Sequence, residues 1–422
     1  MLKTLGRTVY YYLIEYVKIK CKGGKNMNNM NTMEDIDMGD NNFDNVTQTN
    51  NMGKELDKAS ESPLRRAYLD NIRFITVCIV VIYHVIYIFN GVQPFGVIGP
   101  FKDRQIQDAF QYITYPWFMA LLFVVSGMSS RYYLEKHSTK SFIKDRTRKL
   151  LVPSTLGLFA FHWILGYYNM LIGGGFEEAM SQMPKPILYV VMAVSGTGVL
   201  WFIQVLWLLS LLLILIRKIE KDRLYNLCKR MPIWLILLFC VVNYLAAQVL
   251  NTPMITVYRF GIYGFCFLMG YFVFSHDEIV DRLCSLRIIL AVVAIGLGIS
   301  YTILYFGENY ATEPVINNML ACLFCWFAIL AILTNMKKYF DYSTAFTSWM
   351  SRKSWSLYIF HYLPLAMVAY YLHIYAPGLP AFVVYLLVVI AAFAGAFVLG
   401  EVVSRIPVIR YCVLGIKGKK NV

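Results

Sequence analysis

Residues 68–90 read YLDNIRFITVCIVVIYHVIYIFN. After Asp70 the only basic groups in this run are Arg73 and His84. A helix needs roughly 20 apolar residues to cross a hydrocarbon core about 30 Å thick, and this segment has that length. Arg73 and His84 are eleven positions apart, close to three full turns at about 100° per residue. Both therefore point to one face, separated along the axis by about 16 Å. Asp70 and Tyr87 fall near the same stripe. An ionisable group inside a bilayer costs several kcal/mol, roughly 2.5–3.5 on insertion scales. A helix that carries two of them on one face turns that face toward other helices, so the segment predicts a bundle rather than a lone anchor.

Working outward, runs of the same kind recur along the 422 residues, of which 58% are hydrophobic and 15% charged. Soluble domains run at about 45–50% apolar and about 25% charged. Ten spans are expected, at 70–92, 112–133, 150–172, 199–217, 232–250, 254–275, 287–306, 315–335, 354–374 and 380–402. The apolar stretch 184–196 is too short to cross and reads as interfacial or re-entrant. The fold class is thus all-α, a polytopic integral membrane bundle of about ten transmembrane helices. Residues 66–405 form its membrane domain. They lie between an N-terminal tail, 1–65, and a basic C-terminal tail, 406–422. In the N-terminal tail, residues 1–25 hold a short apolar run interrupted by Glu15, which fits neither a signal peptide nor a span. An interfacial helix or an over-long assigned start fits it better. Residues 26–60 are rich in Asn, Asp and Met, a composition that predicts disorder.

The net charge of +14 is compatible with nucleic acid or with an anionic membrane surface. Its distribution decides for the membrane. With the N-terminus inside and the helices alternating, the internal segments hold 34 of the 39 Lys and Arg. Basic residues favour the cytoplasmic side, so both termini are expected there, in a multi-pass protein of the cell membrane. The nine cysteines form no CxxC pair with a matching partner pair, and most sit in apolar runs, as Cys78, Cys240, Cys266 and Cys322 do. They read as small apolar residues, with no disulfide framework and no metal site.

Several polar residues carry two readings. Asp70 and Arg73 are either an interfacial i,i+3 pair or part of a site. His84 is either a buried, hydrogen-bonded histidine or a general base, since a neutral imidazole accepts a proton at physiological pH. Ser126 and Gly127, in PWFMALLFVVSGM, permit close helix approach. Arg146, Arg148 and Lys149, in SFIKDRTRKLLVP, satisfy the positive-inside bias and would also suit phosphate oxygens. His361 lies about two turns into the ninth span in KSWSLYIFHYLPLAM, where Pro364 can kink the helix. Arg259 opens the sixth span near the external side. His162, His373 and Glu401 are weaker candidates. Gln204, in LWFIQVLW, reads as an interhelical hydrogen bond or a site group.

Taken together, these pieces resemble the membrane acyltransferase 3 family. LDNIR followed by ten residues and His84, FVVSGM, FIKDRTRKLLVP, LWFIQVLW and SWSLYIFHYLP occur in the family's order across residues 66–366. The basic DRTRKLLVP looks most like the glucan biosynthesis protein C branch, associated with succinylation. The resemblance implies an acyltransferase moving groups other than amino-acyl groups. Its co-substrate would be a cytosolic acyl-CoA, acetyl by default, with no bound cofactor. The acceptor would be a hydroxyl of a carbohydrate or related cell-envelope molecule. It implies that Arg73 and His84 are the essential pair, that Ser126 and Gly127 form the second-helix motif, and that the loop with Arg146 and Arg148 meets the donor. His361 matches a recurring ninth-helix histidine. Met128 departs from the family's usual Phe or Tyr. A transporter or flippase for an envelope precursor is the alternative, and it would call for discontinuous helices with internal symmetry.

Overall fold

A computed structural model describes residues 66–92, 96–103, 105–176, 180, 182–252 and 257–417. The expectations for residues 1–65, and for 418–422 of the C-terminal tail, lie outside the described residues. Within the described residues the chain is helical, and its one pairing of extended backbone is an isolated bridge between Asn251 and Arg259.

Seven helices are long and apolar enough to cross a membrane. They are α1 (Ala67–Tyr87), α2 (Ile106–Lys136), α3 (Thr139–Ile172), α5 (Gly198–Glu220), α9 (Arg287–Tyr305), α10 (Met319–Tyr339) and α13 (Ala381–Arg405). The bent pair α11 (Ala345–Phe360) and α12 (Tyr362–Tyr375), which turn 52° against each other, is long and apolar enough only when taken together, as a broken span or a re-entrant loop. The other two expected spans are also apolar helices, α6 (Ile233–Ala247) and α7 (Phe260–Phe274). At about 1.5 Å per residue each is only about 22 Å long, short of a hydrocarbon core. The segment expected to be interfacial is α4 (Lys185–Ser195), also too short to cross. A surface helix, α8 (Asp277–Cys284), links α7 to α9, and α14 (Pro407–Leu414) occupies the start of the C-terminal segment.

The outer faces identify the solvent. On α9, Ile288, Val292, Ile295, Ile299 and Ile303 are all exposed, spaced three or four residues apart. In water such a stripe would be an aggregation liability, whereas against lipid tails it is the expected surface.

Two features of the sequence fix how the helices meet. At Gly127 a Cβ would collide with the backbone of Phe267 and Tyr271 on α7, and at Gly270 with the backbone of Val124 on α2. The two helices thus cross backbone to backbone through reciprocal glycines, the small-residue packing that membranes favour. The second feature is the bend between α11 and α12. Pro364 has no N–H to offer the Phe360 carbonyl one turn back, so the helix opens at His361. Gly395 of α13 lies against the Pro364 ring and makes room for the bend.

One expectation needs correction. Residues 134–149 were expected to form a basic loop, but α3 begins at Thr139, so Arg146 and Arg148 are helical. No Gly or Pro interrupts 139–152, and the Ser138 hydroxyl caps the helix by accepting from the Ser141 N–H at 3.3 Å. The chain then widens to π-helix at Thr147–Leu151, just ahead of Pro153, and again at Leu158–His162. Such widened turns recur at functional sites.

Candidate active site

His84 sits three residues before the end of α1, and His361 sits at the break between α11 and α12. His361 is fully buried. Its Nδ1 lies 2.9 Å from the Tyr358 carbonyl and 3.1 Å from that of Leu357. A carbonyl only accepts, so Nδ1 carries the proton and Nε2 presents a lone pair. That Nε2 lies 3.2 Å from Nδ1 of His84. The His84 Nδ1 is also 2.8 Å from the Val80 carbonyl. With two acceptors around it, the His84 Nδ1 is the protonated nitrogen and donates to both. The lone pair of His84 is therefore on Nε2.

Aromatic rings frame the imidazole. Tyr362 and Tyr83 stand edge-on to it, with centroids at 5.0 and 5.1 Å. Tyr83 stacks on Tyr115 at 5.8 Å and shares a hydrogen bond with Tyr310, the hydroxyl oxygens 3.1 Å apart. Gln111 donates from Nε2 to the Tyr310 hydroxyl at 3.0 Å.

The other end of the α1 stripe is basic. Arg73 donates to Asp70 at 2.8 Å and to the Ser129 hydroxyl. Arg146 of α3 donates to the Ser130 hydroxyl at 2.8 Å. Two guanidinium groups from different helices thus stand on consecutive serines of α2, near enough for their charges to repel. Asp70 is the carboxylate paired with Arg73. Arg148 turns elsewhere and pairs with Asp145 at 2.8 Å, while its Nε stays buried without a partner among the described residues.

The structure brings Arg73, Asp70 and Arg146 together, and separately joins His84 to His361. Ser126 and Gly127 lie one turn from the serines that hold the arginines, and Gly127 is committed to the crossing with α7. Arg259 is buried at the start of α7, donating to Asn317 at 3.0 Å. Gln204 bridges helices, accepting from the Tyr258 hydroxyl at 2.6 Å and donating to the Ser154 carbonyl at 3.2 Å. Glu401 is exposed and paired with Lys353 and Arg405, and His373 is exposed. Ser129 and Ser130 escaped the sequence reading. Their signal was their place in SGMSSR, one turn beyond the glycine at the basic end of the helix. Among the described residues no group of three His, Cys, Asp or Glu is placed to hold a metal ion.

A linked histidine pair at the last turn of α1 and a basic cluster toward the other end of the same helix form an arrangement suited to group transfer. Comparison with known families agrees: a family model described as an acyltransferase domain matches residues 66–401, and the chain belongs to the acyltransferase 3 family. It is an acyltransferase and a multi-pass membrane protein, and the transferred group is not an amino-acyl group. No curated protein and no solved structure matches the chain.

Proposed function

We propose that the protein is a membrane O-acyltransferase that takes its acyl group, acetyl or succinyl, from cytosolic acyl-CoA. The acceptor is a hydroxyl of a carbohydrate or related cell-envelope molecule, and the protein resides in the cell membrane with both termini cytoplasmic. The observation that carries this reading is the hydrogen bond from His84 to His361, which leaves the His84 Nε2 as the free base. The CoA phosphates bind the cationic pair of Arg73 and Arg146, with Arg148 next along α3. The donor then runs along α1 toward His84, about 16 Å away.

At the histidine the acceptor hydroxyl gives its proton to Nε2. Its oxygen attacks the thioester carbonyl carbon, the tetrahedral intermediate collapses, and the carbon–sulfur bond breaks. The proton returns from Nε2 to the departing thiolate, so neither protons nor acyl groups accumulate. His361 accepts the Nδ1 proton of His84 as a hydrogen bond throughout and supports the imidazolium that forms. General-base catalysis of this kind contributes about 10²–10⁴-fold. The same lone pair would serve a covalent acyl-histidine route, but a hydroxyl already seated at the base needs no such intermediate.

The test uses membranes holding the wild type or His84→Ala, supplied with acyl-labelled acetyl-CoA or succinyl-CoA and envelope glycans. Label is expected in glycan with the wild type alone. Equal labelling by both proteins would remove His84 from the chemistry.

A further inference from the structure

Several arginines are matched by carboxylates, although Arg146, on Ser130, has none within ion-pair distance among the described residues. Arg66 pairs with Asp277, Arg73 with Asp70, Arg131 with Asp222 and Glu135, and Arg148 with Asp145. Arg259 is different. It is 4% exposed, and no carboxylate among the described residues lies within ion-pair distance of it. Its protein partners are neutral oxygens: Asn317 Oδ1 accepts from Nε at 3.0 Å, and the Ile316 carbonyl from Nη2 at a long 3.4 Å. The Tyr263 hydroxyl, also neutral, is within hydrogen-bonding reach of the same guanidinium. A guanidinium withdrawn from water without a counter-ion is costly, and buried charges are ordinarily paired.

The surroundings say where a counter-ion would come from. Around it stand Tyr115, Tyr263 and Tyr301, and Cys266, Cys322 and Cys325, all neutral groups. Its guanidinium lies 6.0 Å from the Tyr263 ring. Tyr115 is the link to the reacting centre, because it stacks on Tyr83, and Tyr83 stands against His84. The same wall holds Gln111, fully buried, whose Oε1 accepts no hydrogen bond from a described residue. One fixed cation and one vacant acceptor therefore face the same tyrosine cluster.

We propose that Arg259 anchors an anion-recognition subsite beside the histidine pair, filled by a carboxylate or phosphate group that one of the substrates carries. Gln111 Oε1 accepts a hydroxyl proton from the same molecule. The anion belongs either to the distal end of a dicarboxylic acyl group or to an acidic acceptor. The subsite deepens the proposed acyl transfer and rests on it only for what the bound molecule does next.

Binding is measured first, without catalysis. The full-length protein in detergent is unfolded by heat in sodium succinate, sodium phosphate or sodium glucuronate, each against sodium chloride of equal ionic strength and against neutral glucose. The expected result is that at least one oxyanion raises the wild-type midpoint above its chloride control. Arg259→Gln loses that response, and Arg259→Lys keeps part of it. If no oxyanion exceeds chloride, or if Arg259→Gln responds like the wild type, the subsite does not exist.

Transfer then identifies the source. Succinyl-CoA is compared with acetyl-CoA on a neutral glucan, and acetyl-CoA is compared on a glucuronate-bearing and a neutral glucan. Arg259→Gln is expected to lower kcat/KM by about 10–100-fold more for the anionic than for the neutral member of one comparison. An equal loss for anionic and neutral substrates overturns recognition and leaves Arg259 a structural strut to Asn317. Absence of transfer by the wild type would overturn the acyl-transfer reading alone, since the binding experiment decides the subsite independently.

Discussion

His361 differs from His84 in what its removal should do. His84 supplies the reacting lone pair, whereas His361 fixes which nitrogen of His84 bears that pair. His361→Ala is expected to lower kcat by about tenfold or more with KM for acyl-CoA nearly unchanged, the signature of a lost transition-state interaction. The arginines should show the converse. Arg146→Ala removes a charge that both substrate and transition state feel, so KM for acyl-CoA should rise about tenfold or more while kcat changes little. Steady-state kinetics in the label-transfer assay separate the two patterns. At this scale the sequence made Arg73, His84 and His361 visible, because a charged or titratable side chain in an apolar run demands a reason. It hid Ser129 and Ser130, since a serine in a membrane helix returns its proton to the carbonyl four residues back at almost no cost. Both do so here, with the Val125 and Ser126 carbonyls, while each accepts from an arginine. Tautomers were equally hidden, because they depend on carbonyls that only the folded chain assembles.

At the scale of elements, the crossing of α2 and α7 leaves no space for a side chain at residue 127. Gly127→Leu should therefore prevent the two helices from meeting, and the protein should be lost to aggregation or degradation rather than merely slowed. Quantifying monodisperse protein after detergent extraction measures this, and a normal yield with normal activity would contradict the crossing. Pro364→Ala makes the opposite kind of test. It restores a backbone donor one turn after Phe360, so the α11–α12 break should straighten. Thermal stability is expected to hold or rise while activity falls, because His361 sits at the break. Every expected span overlaps a helix, since twenty apolar residues leave the backbone few other ways to satisfy its hydrogen bonds. The start of α3 was misjudged because its first turns are polar, and polarity reports exposure rather than backbone conformation. The shortness of α6 and α7 was hidden for the complementary reason: apolar residues beyond a helix end still count toward an apolar run.

Across the whole molecule, the basic end of the bundle is held by a clasp. Arg66, just before α1, reaches Asp277 of α8 at 2.5 Å, and Lys337 of α10 lies 3.7 Å from the same carboxylate and 2.8 Å from Asp281. Burial alone would raise the Asp277 carboxyl. Hydrogen bonding and charge from Arg66, with Lys337, outweigh it and hold the group below the usual carboxylate range. A carboxylate depressed in the folded state stabilises the fold above its unfolded pKa, about 4, and stops doing so as pH falls through the folded value. Asp277→Asn should thus be less stable than wild type near neutrality, by a modest margin because the pair is partly exposed, and the gap should close below about pH 4. Thermal unfolding at several pH values measures it, and a gap that widens on acidification would contradict the clasp. Since the composition of residues 26–60 predicts disorder, removal of residues 1–60 should leave transfer activity intact, and lost activity in the truncated protein would assign that segment a role.

The shortness of α6 and α7 reaches beyond the protein itself. Two neighbouring helices of about 22 Å cannot match a core of about 30 Å, and a bilayer meeting short helices thins around them. Of the two, α7 is buried within the bundle, whereas α6 exposes Trp234, Leu238 and Leu245, so the lipid beside α6 is expected to be pinched. Any group handed from one side to the other near this flank crosses a shorter insulating layer. The enzyme should accordingly feel the chain length of its lipids, working faster in thin bilayers than in thick ones.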